Sequence, residues 1–232
     1  MIKSLLAKTL LTAGIAALTS ASSWAAFVTW DLNPANLNAP AGSNIHSYTV
    51  SGATITAAGF DNVGFFAPHE LYFKNVGPIN GAVERGLGVT GTYDFELESN
   101  PNGTPAQFIQ LDLRSILQQG FTGGQIEIGS VQAGESFRLF ASNALGELGM
   151  QIGGEFGSTF DSQFVSIPNF GSFDFISVAA GSNGDVLPIA FRAVVPVPEV
   201  SSLFPIVGLV TALGSTHVLR RRRLARQKAS LS

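Results

Sequence analysis

The chain has 232 residues, 45% of them hydrophobic and 12% charged, with a formal net charge of −3 and no cysteine. Without thiols there are no disulfides, thiolate catalysis or zinc-thiolate sites, so apolar packing has to hold the fold, and 18 phenylalanines are suited to that. Most basic residues lie at the two ends: Ala26 to Pro198 holds five (Lys74, Arg85, Arg114, Arg138, Arg192) against fifteen acidic residues, a net of −10, which argues against a nucleic-acid partner.

Met1 to Ala25 has the layout of a secretory signal peptide. Lys3 and Lys8 give a positive opening, Thr9 to Leu18 is apolar, and the small residues Ser23 and Ala25 flank Trp24. Signal peptidase is expected to cut between Ala25 and Ala26. An uncleaved anchor is the alternative, but the apolar stretch is short for a membrane span. Ala26 to Val194 then leaves about 170 residues, enough for one domain with its own core.

That body reads as all-β. In chain order, strands are expected at Val28–Asp31, Ser47–Val50, Thr54–Ala58, Glu70–Lys74 and Tyr93–Leu97. The clearest is Phe108–Leu113, where Ile109, Leu111 and Leu113 alternate with Gln110 and Asp112 in the period of a half-buried strand. One helical turn, Arg114 to Gln119, precedes Gly120. Then follow Gln125–Val131 after a Gly123-Gly124 turn, Ser136–Ser142, Gln163–Ile167, Phe173–Ala179 and Pro188–Val194. Short strands at roughly ten-residue spacing, separated by Gly, Asn, Ser and Pro, predict an antiparallel β-sandwich. No long helix or phosphate-cradling glycine loop accompanies them, which counts against αβ nucleotide enzymes.

The tail carries the strongest signal in the chain. Val195-Pro196-Val197-Pro198-Glu199 leads into the apolar run Val200 to Leu219, then Arg220, Arg221, Arg222 and Arg223. A helix over Val200–Leu219 would rise about 30 Å, the thickness of a bilayer's hydrocarbon core. Basic residues directly behind a span resist translocation, so the arginines are expected to anchor the topology on the cytoplasmic side, with the body outside.

A signal peptide at one end, with a Pro-Glu motif, one apolar span and an arginine cluster at the other, resembles the PEP-CTERM proteins of Gram-negative bacteria. The resemblance implies that Val195 to about Lys228 is a sorting signal read by an exosortase-type processing enzyme, with insertion in the inner membrane as a transient or permanent stage. The usual core is Pro-Glu-Pro; here Pro198-Glu199-Val200 stands in its place. If the tail is not processed, it remains a stop-transfer anchor. The order Ile128-Gly129-Ser130-Val131-Gln132, Glu135-Ser136-Phe137-Arg138-Leu139-Phe140 and Ser142-Asn143-Ala144-Leu145-Gly146 looks like the body of many such ectodomains. It is also similar to galactose-binding-like jelly rolls of discoidin type. Gly86-Leu87-Gly88-Val89 resembles a loop signature of the same ectodomains.

Several residues in the body could carry chemistry. On a strand, Asp94, Glu96 and Glu98 share one face with about 7 Å between neighbours. They are weak calcium candidates, since a calcium site needs more oxygen ligands, and otherwise form a solvated face; no other cofactor is expected. A glycosidase pair would need a cleft that nothing in the sequence marks. His46 and His69 lack ligand spacing and a serine-nucleophile context, which favours ordinary loop or strand histidines over metal ligands or a general base. Trp30, Tyr48, Tyr72 and Tyr93 could stack on sugars, or simply pack in the core and its rim. Asn102-Gly103-Thr104 fits a glycosylation acceptor and equally a turn after Asn100-Pro101.

Three functions remain. The first is a non-enzymatic, structural or adhesive component of the cell surface or extracellular matrix, with extracellular polysaccharide as the partner in view. The second is a carbohydrate-binding module, and the third a surface hydrolase. Folding signals occur throughout the body and catalytic ones do not, which favours the first.

Overall fold

A computed structural model of the chain describes residues 26–62, 66–78 and 82–195. The expected signal segment, Pro196, Pro198, Glu199, the span Val200–Leu219 and Arg220 to Arg223 lie outside the described residues. Among the described residues no helix is long and apolar enough to cross a membrane.

The strands, numbered in chain order, form antiparallel sheets. One runs β1 (Phe27–Asp31), β15 (Asp185–Val194), β10 (Thr122–Gly129), β13 (Gln163–Ser166), with β8 (Leu97–Glu98) also on β15. A second runs β12 (Met150–Gly157), β11 (Ser136–Ser142), β14 (Phe175–Ala180), β9 (Gln107–Asp112), β4 (Ala53–Asn62), β3 (Ile45–Val50), with β5 (Phe66–His69) on β4. A small third sheet joins β2 (Ala39–Pro40), β6 (Leu71–Asn75) and β7 (Arg85–Val89). The architecture is all-β and consistent with a β-sandwich. One short helix, α1 (Arg114–Gln118), follows β9 and buries Ile116.

The pairing is nested. β1 pairs with β15, β9 with β14, β10 with β13 and β11 with β12. First meets last, second meets next to last, and the segment from β2 to β8 is an insertion between the first two strands of that set. Inward side chains of both large sheets share one core. Trp30, Ile126, Ile128 and Phe191 come from one, and Ile55, Ile109, Leu111, Phe137, Leu139 and Val178 from the other. Burying a side chain of this size contributes on the order of 1.5–3 kcal/mol.

The outer face of the second sheet departs from the half-buried pattern expected for Phe108–Leu113. Ala58, Phe60, Phe108, Phe140 and Ala179 form a second apolar cluster there, with Leu148 packed against it. Gln110, expected to face water, is fully buried beside it. Its Oε1 accepts from the Gly146 N–H at 2.8 Å and its Nε2 donates to the Glu147 carbonyl at 2.8 Å. A buried amide needs such partners, and here they fasten the loop after β11 across the sheet.

Two turn expectations are also corrected. Gly123 and Gly124 lie inside β10, at a register shift against β15 between Thr122 and Gln125. Gly86 to Val89 is not a loop but most of β7. A side chain at Gly86 would meet the Pro188 carbonyl, and one at Gly88 the Phe95 carbonyl. The glycines are there because backbone comes that close. Asn102-Gly103-Thr104 does form a turn: Asn102 Oδ1 accepts from Thr104 N–H at 3.1 Å, and Gly103 has φ +76°.

Candidate functional site

The most unusual chemistry gathers where the insertion meets the first sheet. On β6, Tyr72 and Lys74 share a face, and their cross-strand partners on β7 are Gly88 and Gly86. With no side chains opposite, the Tyr72 ring stacks on Phe95 at 4.0 Å between centroids, and Lys74 runs inward. The Lys74 side chain is 2% exposed. Three carboxyls meet its ammonium: Glu84 Oε2 at 2.6 Å, Asp94 Oδ2 at 2.9 Å and Glu96 Oε1 in close contact.

Backbone bonds position Glu84. The Glu84 carbonyl accepts from Val76 N–H at 3.0 Å, and the neighbouring Val83 carbonyl accepts from Ser130 N–H at 3.0 Å. This holds Glu84 between β6 and the end of β10. Tyr93 to Leu97, expected as a strand, is instead a bend up to Glu96. Phe95 has φ +60°, a left-handed conformation unusual for a bulky residue. With that kink, Asp94 and Glu96 both reach the Lys74 nitrogen. Glu98 does not join them: its Oε1 accepts from Tyr93 N–H at 2.9 Å.

Ser130 completes the cluster, its Oγ 2.9 Å from Glu84 Oε1 and 2.9 Å from Glu96 Oε1. Glu84 and Glu96 are each 1% exposed, and Asp94, 51% exposed, closes the outer end. Glu96 Oε2 is buried with no hydrogen-bond partner among the described residues.

The two buried carboxyls divide their protonation. Burial and the adjacent Glu84 push Glu96 up to about 9, despite Lys74 and Ser130. Burial acts on Glu84 in the same direction, but its bonds to Glu96, Lys74 and Ser130 outweigh it, and Glu84 lies below the ordinary range. Burial would lower Lys74, yet its three carboxyl partners raise it. At neutral pH the interior therefore holds an ammonium, the Glu84 carboxylate and the Glu96 acid, an internally neutral set.

One oxygen from each of Glu84, Asp94 and Glu96 lies within 4.8 Å of the others, the mutual spacing of a cation site. The cation in it is the chain's own ammonium. Of the expected calcium face, two carboxyls thus converge with a third, Glu84, that the strand pattern did not include.

The remaining candidates separate. His69 Nδ1 lies 2.8 Å from Asp61 Oδ1, and its Nε2 contacts the Thr90 carbonyl. His46 sits edge-on to Tyr48 and Phe73, at 4.8 Å and 5.1 Å between centroids. Trp30 and Tyr48 are in the core, and the Tyr48 hydroxyl donates to the Leu32 carbonyl at 2.9 Å. Burial, with Asp31 nearby, raises that hydroxyl above its usual range. Tyr93 alone of the four aromatics is fully exposed. A cleft of about 330 Å³ is lined by Thr54, Thr56, Asp112, Arg114, Ser115 and Gln118, with no aromatic ring. No family model, curated protein or solved structure matches the chain.

Proposed function

We propose that the protein is an exported, non-enzymatic component of the cell surface or extracellular matrix, sorted through Val195 to Lys228 by an exosortase-type system. Its role is structural or adhesive, in an exopolysaccharide or biofilm setting. The observation that carries this reading is the order of segments in the sequence. A secretory leader precedes a cysteine-free β body, which is followed by Pro198-Glu199, a twenty-residue apolar run and Arg220 to Arg223. The cluster around Lys74 supports a structural body, because its charges are spent on one another rather than offered to a ligand.

We read the body as a jelly roll. Support comes from the nested pairing of β1, β9, β10 and β11 with β15, β14, β13 and β12, the pattern of one long antiparallel hairpin rolled into two sheets. The carbohydrate-binding reading has one observation on its side, the fully exposed Tyr93. Against it, the cleft beside α1 presents no ring for sugar stacking.

The sorting reading is tested by replacing Pro198 and Glu199 together with alanine and following the protein through inner-membrane, envelope and medium fractions of the native host. The unchanged chain should leave the inner membrane and the variant should stay in it. Equal distributions would overturn the sorting signal. Turnover of a saccharide or chromogenic ester by the purified protein would overturn the non-enzymatic reading.

A further inference from the structure

We propose that Lys74 and Glu96 condense into an intramolecular isopeptide bond, joining Lys74 Nζ to Glu96 Cδ and tying β6 to the segment before β8. The sequence points to it first. Lys74 is the only lysine between Lys8 and Lys228, and the other four cations of the body are arginines. An arginine could fill a carboxylate-lined pocket with more hydrogen bonds. Lysine differs in that it can lose a proton and act as a nucleophile. The body's single lysine is also its buried one, set among carboxyls.

Geometry supplies each part of the reaction. The nucleophile, Nζ, contacts Glu96 Oε1 and donates to Glu84 Oε2 at 2.6 Å. Glu84 is the proton acceptor. Ser130 Oγ lies 2.9 Å from Glu96 Oε1, the oxygen that gains charge when the carbonyl is attacked. Glu96 Oε2, buried and without a partner among the described residues, is the oxygen free to leave. The carboxyl that would be attacked is the one held as the neutral acid, the form that condenses with an amine. In water the ion pair is favoured over the amide; here the amine and the acid are held in contact, which removes the entropic cost of bringing them together.

The step balances without a co-reactant. The Glu84 carboxylate takes one proton from the Lys74 ammonium, and the freed lone pair attacks Glu96 Cδ. The carbonyl electrons move onto Oε1 and return as the C–Oε2 bond breaks. A second proton passes from Nζ to Oε2, which leaves as water. One C–N bond has formed, one C–O bond has broken, and Glu84 keeps the first proton. The remaining amide N–H can donate to Asp94 Oδ2, now 2.9 Å from Nζ. The product replaces a buried ion pair with a neutral link between residues 22 apart in sequence, a covalent brace in a chain that has no disulfide.

Tryptic mapping of the protein purified from its host tests this. With the bond, trypsin cannot cut after Lys74. The peptide ending at Arg85 should then appear joined to Gly86–Arg114, one water lighter than their sum. Asn75–Arg85 and Gly86–Arg114 appearing separately at full mass would overturn the proposal. A link from Lys74 to Glu84 would leave Gly86–Arg114 free and overturn the assignment of Glu96, as would fragment ions placing the link on Asp94. In Glu84→Gln, checked as folded by circular dichroism, cleavage after Lys74 should return. A link that persists would overturn the role given to Glu84.

Discussion

The backbone N–H of Val195 donates to the Ala26 carbonyl at 2.8 Å, so the residue expected to follow signal cleavage and the residue opening the tail motif hold each other. Inward from them, Phe27 pairs with Val194 and Trp30 with Phe191. The body is closed by its first and last strands. This is where an exported domain trimmed at both ends would need its boundaries.

Trp30 ties that closing pair to the rest of the core. Its indole N–H donates to the Ala53 carbonyl at 3.1 Å, linking the first sheet to the second, and its ring lies 5.5 Å from Phe191 and 5.8 Å from Phe121. Trp30→Phe removes the donor from a buried carbonyl and should cost about 1–3 kcal/mol in urea unfolding. An unchanged midpoint would contradict the cross-sheet tie.

Gln110 should tolerate little change. Gln110→Leu leaves the Gly146 N–H and the Glu147 carbonyl without their partner, at a cost of about 1–3 kcal/mol. Hydrogen exchange should speed up at Gly146 in particular. Unaltered protection there would show that the loop is held by other contacts.

Gly88→Ala should disturb the lysine cluster from a distance. The added methyl meets the Phe95 carbonyl, so Phe95 must shift off Tyr72 and carry Asp94 and Glu96 with it. Overpacking of this kind costs on the order of 1–3 kcal/mol. Folded Gly88→Ala protein should also show more cleavage after Lys74 than the parent chain, and equal cleavage would contradict the coupling.

Acid carboxyls outside the cluster set a pH dependence. Burial raises Glu127 above its ordinary 4.5, against Arg192 and Arg85. It also raises Glu135, against the bond from Gln132 N–H. Groups raised in the folded state bind protons that the unfolded chain has already released. Their contribution is therefore complete below pH 4.5 and is lost as pH rises through their folded values. Glu127→Gln should flatten the fall in urea midpoint just above pH 4.5. The same slope in parent and variant would refute it.

Much of the fold was legible as alternation. Phe27–Asp31 and Gln163–Ser166 overlap their expected strands because apolar and polar residues alternate on strands with one buried face, while Ser136–Ser142, which coincides with β11, and Asp185–Val194 are nearly all buried and were marked by their apolar, β-prone composition. Legibility failed where that premise did. Glycines read as loop at Gly86 and Gly88, although close backbone packing is what selected them. Tyr93–Leu97 alternates, yet the positive φ of Phe95 breaks the strand. β12 was hidden by Gly153 and Gly154 and by its largely exposed surface. The cluster was half visible, since Asp94 and Glu96 stood out by spacing. Glu84 and Ser130 reach it through pairings that alternation does not show, and the signals for Lys74 are its being the body's single lysine and its place in the apolar run Leu71-Tyr72-Phe73-Lys74.

Mass spectrometric mapping of both termini, on protein from the membrane, envelope and medium fractions of the native host, tests the central claim most directly. The account predicts a body that begins at Ala26, ends between Pro198 and Val200, and is enriched outside the inner membrane. Protein in which the peptide after Val200 remains attached, confined to the inner-membrane fraction, would contradict it and leave the tail a plain anchor.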